Sequence, residues 1–160
     1  MQTPALVESF VAGREIYVGV LGNSRLKVLP PWELDLGSSG GSSGQGIATR
    51  RVKFDKKYGE KHGIQRGPAK EISPVQLRRL ETLCKQSFRV LKLNGYARMD
   101  LRLDEQGNFH FIEVNPNPEL AKGEDFANAA LLAGISYPQL IRRIVKLGQQ
   151  WDLARSLWAA

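Results

Sequence analysis

Residues 97–118 read Ala-Arg-Met-Asp-Leu-Arg-Leu-Asp-Glu-Gln-Gly-Asn-Phe-His-Phe-Ile-Glu-Val-Asn-Pro-Asn-Pro and constrain this chain more than any other stretch. Two alternating runs flank Glu105-Gln106-Gly107-Asn108, which is turn chemistry with Gly107 able to take a positive φ. A β-hairpin follows. Successive side chains on a strand point to opposite faces. Met99, Leu101 and Leu103 therefore share one face of the first strand, and Arg98, Asp100 and Arg102 the other. On the second strand His110, Ile112 and Val114 fall together, and Phe109, Phe111, Glu113 and Asn115 fall opposite them. A register pairing Leu103 with His110 sets Asp100 opposite Glu113 and Arg98 opposite Asn115.

Like charges directly across a ladder repel. Two carboxylates in that position are easier to understand with a cation between them. Carboxylates and an amide oxygen suit Mg²⁺, which keeps several waters and takes its remaining ligands from phosphates. Asp100, Glu113 and Asn115 are the candidate metal ligands, and Arg98 and Arg102 on the same face could meet anionic oxygens. Pro116 and Pro118 give the strand a rigid exit after Asn115. The competing reading is a solvated face of mixed charge. His110, on the apolar face, reads as a packed core histidine, and His62 as a solvated loop residue.

At 160 residues a single domain spanning 1–160 is the default. The formal net charge of +7 points to an anionic partner without saying which. The lone cysteine, Cys84, sits in an apolar helical stripe and cannot form an intrachain disulfide, which suits a reducing compartment such as the cytoplasm. No apolar run approaches the ~18 residues that suggest a membrane span, so no membrane partner is expected.

Strand runs are expected over residues 5–10, 15–21, 25–29 and 32–36, with Pro30-Pro31 at an edge or bend. Residues 37–44, Gly-Ser-Ser-Gly-Gly-Ser-Ser-Gly, have flexible-linker composition and resemble an engineered joint replacing something between 35 and 47. Residues 47–54 read as a basic strand and 55–70 as a loop with short turns. Ser73-Pro74-Val75-Gln76 is a capping-box start, followed by the stripe Leu77, Leu80, Cys84, Phe88, Leu91 and a stop at Asn94-Gly95. A short helix spans about 123–133. Ser136-Tyr137-Pro138-Gln139 opens a last one, reaching about Trp158, with Leu140, Ile141, Ile144, Val145, Leu147, Trp151 and Ala154 on its buried side. Partly segregated strands and helices predict an α+β fold, an antiparallel sheet with helices packed on one face. The helices would cover Met99, Leu101 and Ile112 and leave the Asp100–Glu113 face to a ligand.

Three stretches then carry a resemblance: Val7-Glu8-Ser9-Phe10-Val11-Ala12-Gly13-Arg14-Glu15, Gly95-Tyr96-Ala97-Arg98-Met99-Asp100-Leu101-Arg102-Leu103-Asp104, and Phe111-Ile112-Glu113-Val114-Asn115-Pro116. From Leu6 to about Leu147 the chain resembles the C-terminal part of ATP-grasp ligases, in particular the D-alanine–D-alanine ligase group. The resemblance implies that ATP and Mg²⁺ are cofactors and that Asp100, Glu113 and Asn115 hold the metal. It implies that Arg98 steadies an acyl phosphate or tetrahedral species. Glu8, Ser9, Phe10 and Val11 would be the hinge whose backbone meets adenine, Glu15 would take the ribose hydroxyls, and Lys53 would bind phosphate. Glu15 also reads as a plain exposed strand residue, and Lys53 as one more surface lysine. Phe10 and Tyr17 read as packing residues rather than adenine platforms.

The family usually carries a Pro-Gly pair soon after the metal-binding asparagine, and Asn115-Pro116-Asn117-Pro118-Glu119 has no glycine, which puts D-alanine in question as the substrate. The chain begins at the hinge, without the family's preceding domain and ATP-covering subdomain. Together with the Gly/Ser joint this suggests an excised, re-stitched half of an ATP-dependent carboxylate–amine ligase, inactive alone, whose exposed sheet edge would favour self-association. The parent's partners would be a nucleotide and small-molecule carboxylate and amine substrates. Two other classes compete. One is a basic nucleic-acid module over Arg50, Arg51, Lys53, Lys56, Lys57, Lys61 and Lys70, disfavoured by sparse aromatic interleaving. The other is a structural fragment without ligand.

Overall fold

The computed structural model describes Ala5, residues 7–36 and residues 56–151. The Gly/Ser stretch 37–44, the expected strand 47–54, Arg50, Arg51 and Lys53 lie outside those residues. The described elements are β1 (Arg14–Leu21), β2 (Lys27–Val28), β3 (Trp32–Asp35), α1 (Lys56–His62), β4 (Gln65–Pro68), α2 (Pro74–Val90), β5 (Tyr96–Leu103), β6 (Phe109–Asn115), α3 (Asp125–Leu132) and α4 (Tyr137–Gln149). The strands form one antiparallel sheet in the order β4-β3-β1-β5-β6, with β2 also on β1. The α+β architecture expected from the sequence is therefore present.

β2 and β3 share one edge of β1 end to end, because Pro30 and Pro31 lack the N–H groups a continuous strand would need there. Ile16, Val18 and Val20 on β1 and Ala97, Met99, Leu101 and Leu103 on β5 form the floor of the main core. Helix α2 covers it with Leu80, Cys84 and Phe88, spaced four apart on one stripe. Its start is the expected capping box: the Gln76 N–H donates to Ser73 Oγ at 3.3 Å, and the Ser73 N–H to Gln76 Oε1 at 2.9 Å. Leu77 and Leu91, the ends of the predicted stripe, are exposed. A second apolar cluster joins Leu21 and Leu29 to Phe126, Ala127, Ala130 and Leu140, so α3 and α4 pack over one end of the opposite face. Gly19 makes this possible, since a Cβ there would lie 2.7 Å from a Leu29 methyl and 2.9 Å from the Phe126 ring.

Several expectations are corrected. Residues 7–10 form no strand. The stretch read as a loop contains α1 and edge strand β4, held to the sheet by Tyr58 and Ile64 against Tyr17, Leu34 and Leu36. Of the side predicted to be buried on α4, Leu140 is buried and Ile144 partly so, whereas Val145 and Trp151 are exposed; α4 ends at Gln149, and Ala154 lies outside the described residues.

The hairpin register also changes part-way. Asp100 pairs with Glu113 and Arg98 with Asn115, but beyond an irregularity at Asp100/Leu101 the partners become Leu101–Phe111, Arg102–His110 and Leu103–Phe109. Ile112 is the extra residue, and such a bulge flips the facing of every side chain beyond it. Phe109 thus joins the core, while Ile112 is 54% exposed. His110 is not a core histidine: its Nε2 lies 2.7 Å from Asp104 Oδ2. Gly107 takes φ +81° in the turn, as expected.

Two outcomes follow. Gly19→Ala crowds Leu29 and Phe126 and should cost about 1–3 kcal/mol in a denaturant titration; an unchanged midpoint would contradict the packing. The carboxyl of Asp104 is held below its ordinary pKa, first by His110 and then by the Asn108 N–H. A depressed acid contributes stability that is complete above its unfolded pKa and fades as pH falls through the folded value. Thermal melts between about pH 2 and 6 should show wild type losing more stability on acidification than Asp104→Asn; parallel profiles would rule this out.

Candidate metal and nucleotide site

The site face is built from three cross-strand rows. Glu15 on β1 stands opposite Arg102 on β5, which pairs with His110 on β6. Tyr17 stands opposite Asp100, which pairs with Glu113, and Gly19 opposite Arg98, which pairs with Asn115. The hairpin thus brings Asp100, Glu113 and Asn115 together, as the sequence predicted.

Their environments differ. Asp100 is 4% exposed and both of its oxygens accept from Arg98, Oδ1 from Nε at 2.7 Å and Oδ2 from Nη2 at 2.8 Å. This bidentate bond relieves the repulsion of the Asp100–Glu113 pairing. The Arg98 guanidinium also lies over the Tyr17 ring, 4.6 Å from its centroid. Burial pulls the Arg98 pKa down, but its bonds to Asp100 and the neighbouring negative charge more than offset this and leave it raised. Glu113 is exposed. Asn115 Oδ1 accepts from the Asn117 N–H at 2.9 Å, which fixes the side chain at the strand exit.

The nucleotide candidates converge less closely. Glu8 and Ser9 are exposed, Val11 is half-buried, and Phe10 presents its ring to Arg102 at 5.7 Å. Glu15 is not the plain exposed residue of the alternative reading. It is 9% exposed, accepts from the Tyr17 hydroxyl at 2.6 Å, and pairs with Arg102 Nη2 at 3.3 Å. Arg102 also donates to the Gly13 carbonyl at 2.8 Å. Buried and engaged, it ties the backbone at Gly13 to Glu15. Tyr17 is a packing residue, and burial followed by the charge of Glu15 pushes its hydroxyl pKa far above the ordinary value.

The local sequence pattern does not single out Asp125 or Arg66. Asp125, buried in the first turn of α3, accepts from Arg66 Nη1 at 3.4 Å. Burial raises its pKa despite the attraction of Arg66 and Arg98. An isolated Glu-Asp before an apolar helix was the available signal, but its partner on β4 depends on a strand that the sequence did not reveal.

Among the described residues no three His, Cys, Asp or Glu side chains cluster so as to hold a metal by themselves. The donor set here is two carboxylates and an amide, a partial shell of oxygen atoms. That fits Mg²⁺, which retains water and completes its octahedron from phosphate, better than it fits Zn²⁺.

The family model for the D-ala D-ala ligase C-terminus matches residues 1–146. D-alanine–D-alanine ligases of Desulforudis audaxviator and Pelotomaculum thermopropionicum are 34% and 32% identical over 92% and 91% of this chain. An uncharacterised protein of Sinorhizobium fredii is 33% identical over 91%. The chain spans 41–44% of the length of these relatives. The D-alanine–D-alanine ligase of Bacillus anthracis, solved in complex with ATP, superposes over 89% of this chain and 40% of its own, with a TM-score of 0.66 at 20% identity. The ligase of Coxiella burnetii gives 0.67 at 18% identity, over 88% of this chain and 33% of its own. By its sequence and its fold, the chain belongs to the D-alanine–D-alanine ligase C-terminal family, an ATP-grasp fold.

Proposed function

We propose that this chain carries the Mg²⁺-nucleotide floor of an ATP-dependent carboxylate–amine ligase. One observation carries the reading: Asp100 faces Glu113, and Arg98 faces Asn115, across adjacent strands. In this reading Asp100, Glu113 and Asn115 hold the metal, the backbone of Glu8, Ser9, Phe10 and Val11 meets the base, and Glu15 meets the ribose. Lys53 remains the candidate phosphate ligand from the sequence. Lys57 is an exposed cation beside Tyr58, which packs on Tyr17 at the same face.

The chemistry so supported is phosphorylation of a carboxylate by ATP, then attack of an amine on the acyl phosphate. The metal, when bound, neutralises charge on the phosphoryl group, and the protein chiefly positions and stabilises charge. Arg98, held beside Asp100, would steady the negative charge that develops on the transferred group and on the carbonyl oxygen. The small-molecule acid and amine follow from this reaction class alone. As the chain spans 41–44% of the length of its ligase relatives, these 160 residues by themselves should bind nucleotide weakly and turn nothing over. Of the basic residues behind the nucleic-acid reading, Arg50, Arg51 and Lys53 lie outside the described residues.

Calorimetry tests the reading. Mg²⁺ with ATP should bind, and chelation with EDTA should abolish the binding. Glu113→Gln, at an exposed position, should leave the melting temperature unchanged and lower nucleotide affinity on the order of tenfold, the scale of one charge-assisted contact. Asp100→Ala should also lose binding. Metal-independent ATP binding, or affinity indifferent to both substitutions, would refute the assignment. Robust ATP-dependent ligation by the purified chain would refute the predicted inactivity.

A further inference from the structure

Arg98 engages both oxygens of the same carboxylate that the metal reading requires. The bond is bidentate, and Asp100 is almost fully buried, which leaves a cation little room to approach from the other side. A divalent ion beside an engaged guanidinium also meets its positive charge at close range in a poorly solvated place. The guanidinium is not free to swing out at no cost, because the Tyr17 ring supports it at 4.6 Å and the Tyr17 hydroxyl is anchored to Glu15 at 2.6 Å.

From these contacts we infer that Arg98 competes with the divalent cation for Asp100, so that metal binding by this chain is tied to the arrival of phosphate. The inference rests on the Mg²⁺-nucleotide reading above and adds to it a direction of coupling. A bare cation must displace Arg98 and leave it without an anionic partner. A cation arriving with a polyphosphate brings that partner, because guanidinium matches phosphate oxygens as well as it matches carboxylate. The same residue thus opposes metal alone and favours metal with nucleotide. Linkage makes the effect reciprocal: whatever nucleotide does for metal affinity, metal does for nucleotide affinity.

The test measures free Mn²⁺ by electron paramagnetic resonance with the full chain, with and without ADP, for wild type, Arg98→Lys and Arg98→Met. Wild type should bind Mn²⁺ poorly alone and better with ADP. Arg98→Met should bind Mn²⁺ alone on the order of tenfold tighter, with ADP adding less, and Arg98→Lys should fall between. Unchanged or weaker Mn²⁺ binding by folded Arg98→Met overturns the inference. Because that variant leaves Asp100 buried without its cation, circular dichroism checks its fold. If it is unfolded, the Nε–H resonance of Arg98 in wild type decides: it should move with Mg²⁺ and ADP together and stay in place with millimolar Mg²⁺ alone. Movement with Mg²⁺ alone overturns the competition. Loss of the underlying reading looks different, since wild type would then show no Asp100-dependent binding of metal and nucleotide at all.

Discussion

Where β5 meets β6, the spacing of the pairing changes once, at Ile112, and the site depends on where that change falls. On the Asn115 side of it, Glu113 and Asn115 share a face with Asp100 and Arg98. On the turn side, Phe109 pairs with Leu103 and drops into the core beneath α2. Had the ladder run evenly to the turn, Phe109 would face the ligand side and His110 the core. One inserted residue lets a single strand supply polar groups at one end and core at the other, as bulges beside functional sites do.

The polar face is then held by a chain of contacts that runs from Phe10 back and forth between two strands, β1 and β5. Phe10 touches Arg102, Arg102 holds Glu15, Glu15 accepts from Tyr17, and Tyr17 supports Arg98, which grips Asp100. Each buried charge has an opposite charge within bonding distance, which keeps ionised groups tolerable among apolar neighbours. The network runs from Phe10, proposed to meet nucleotide, to Asp100, proposed to hold the metal.

Much of this could be read from the sequence. Alternation set Asp100, Glu113 and Asn115 opposite the apolar face, since each carboxylate sits directly between two apolar residues, Met99 and Leu101 or Ile112 and Val114. Arg98 and Asp100 are two apart on one strand face, so their contact was also within reach. The bulge was not legible, because Phe109, Phe111, Ile112 and Val114 supply apolar residues to both faces and either register looks acceptable. The Arg102–Glu15 pair spans 87 residues and depends on β1 lying beside β5, which no local pattern states. Helix α1 and strand β4 are not legible, because Tyr58 and Ile64 give too few apolar positions to show a period.

A crystal structure of the chain soaked with Mn²⁺ and a non-hydrolysable ATP analogue, read by its anomalous signal, tests the central claim most directly. The metal peak should lie within coordination distance of Asp100, Glu113 and Asn115, with phosphate oxygens completing its shell and Arg98 turned toward them. A peak elsewhere, with Arg98 still holding both oxygens of Asp100, would contradict the account.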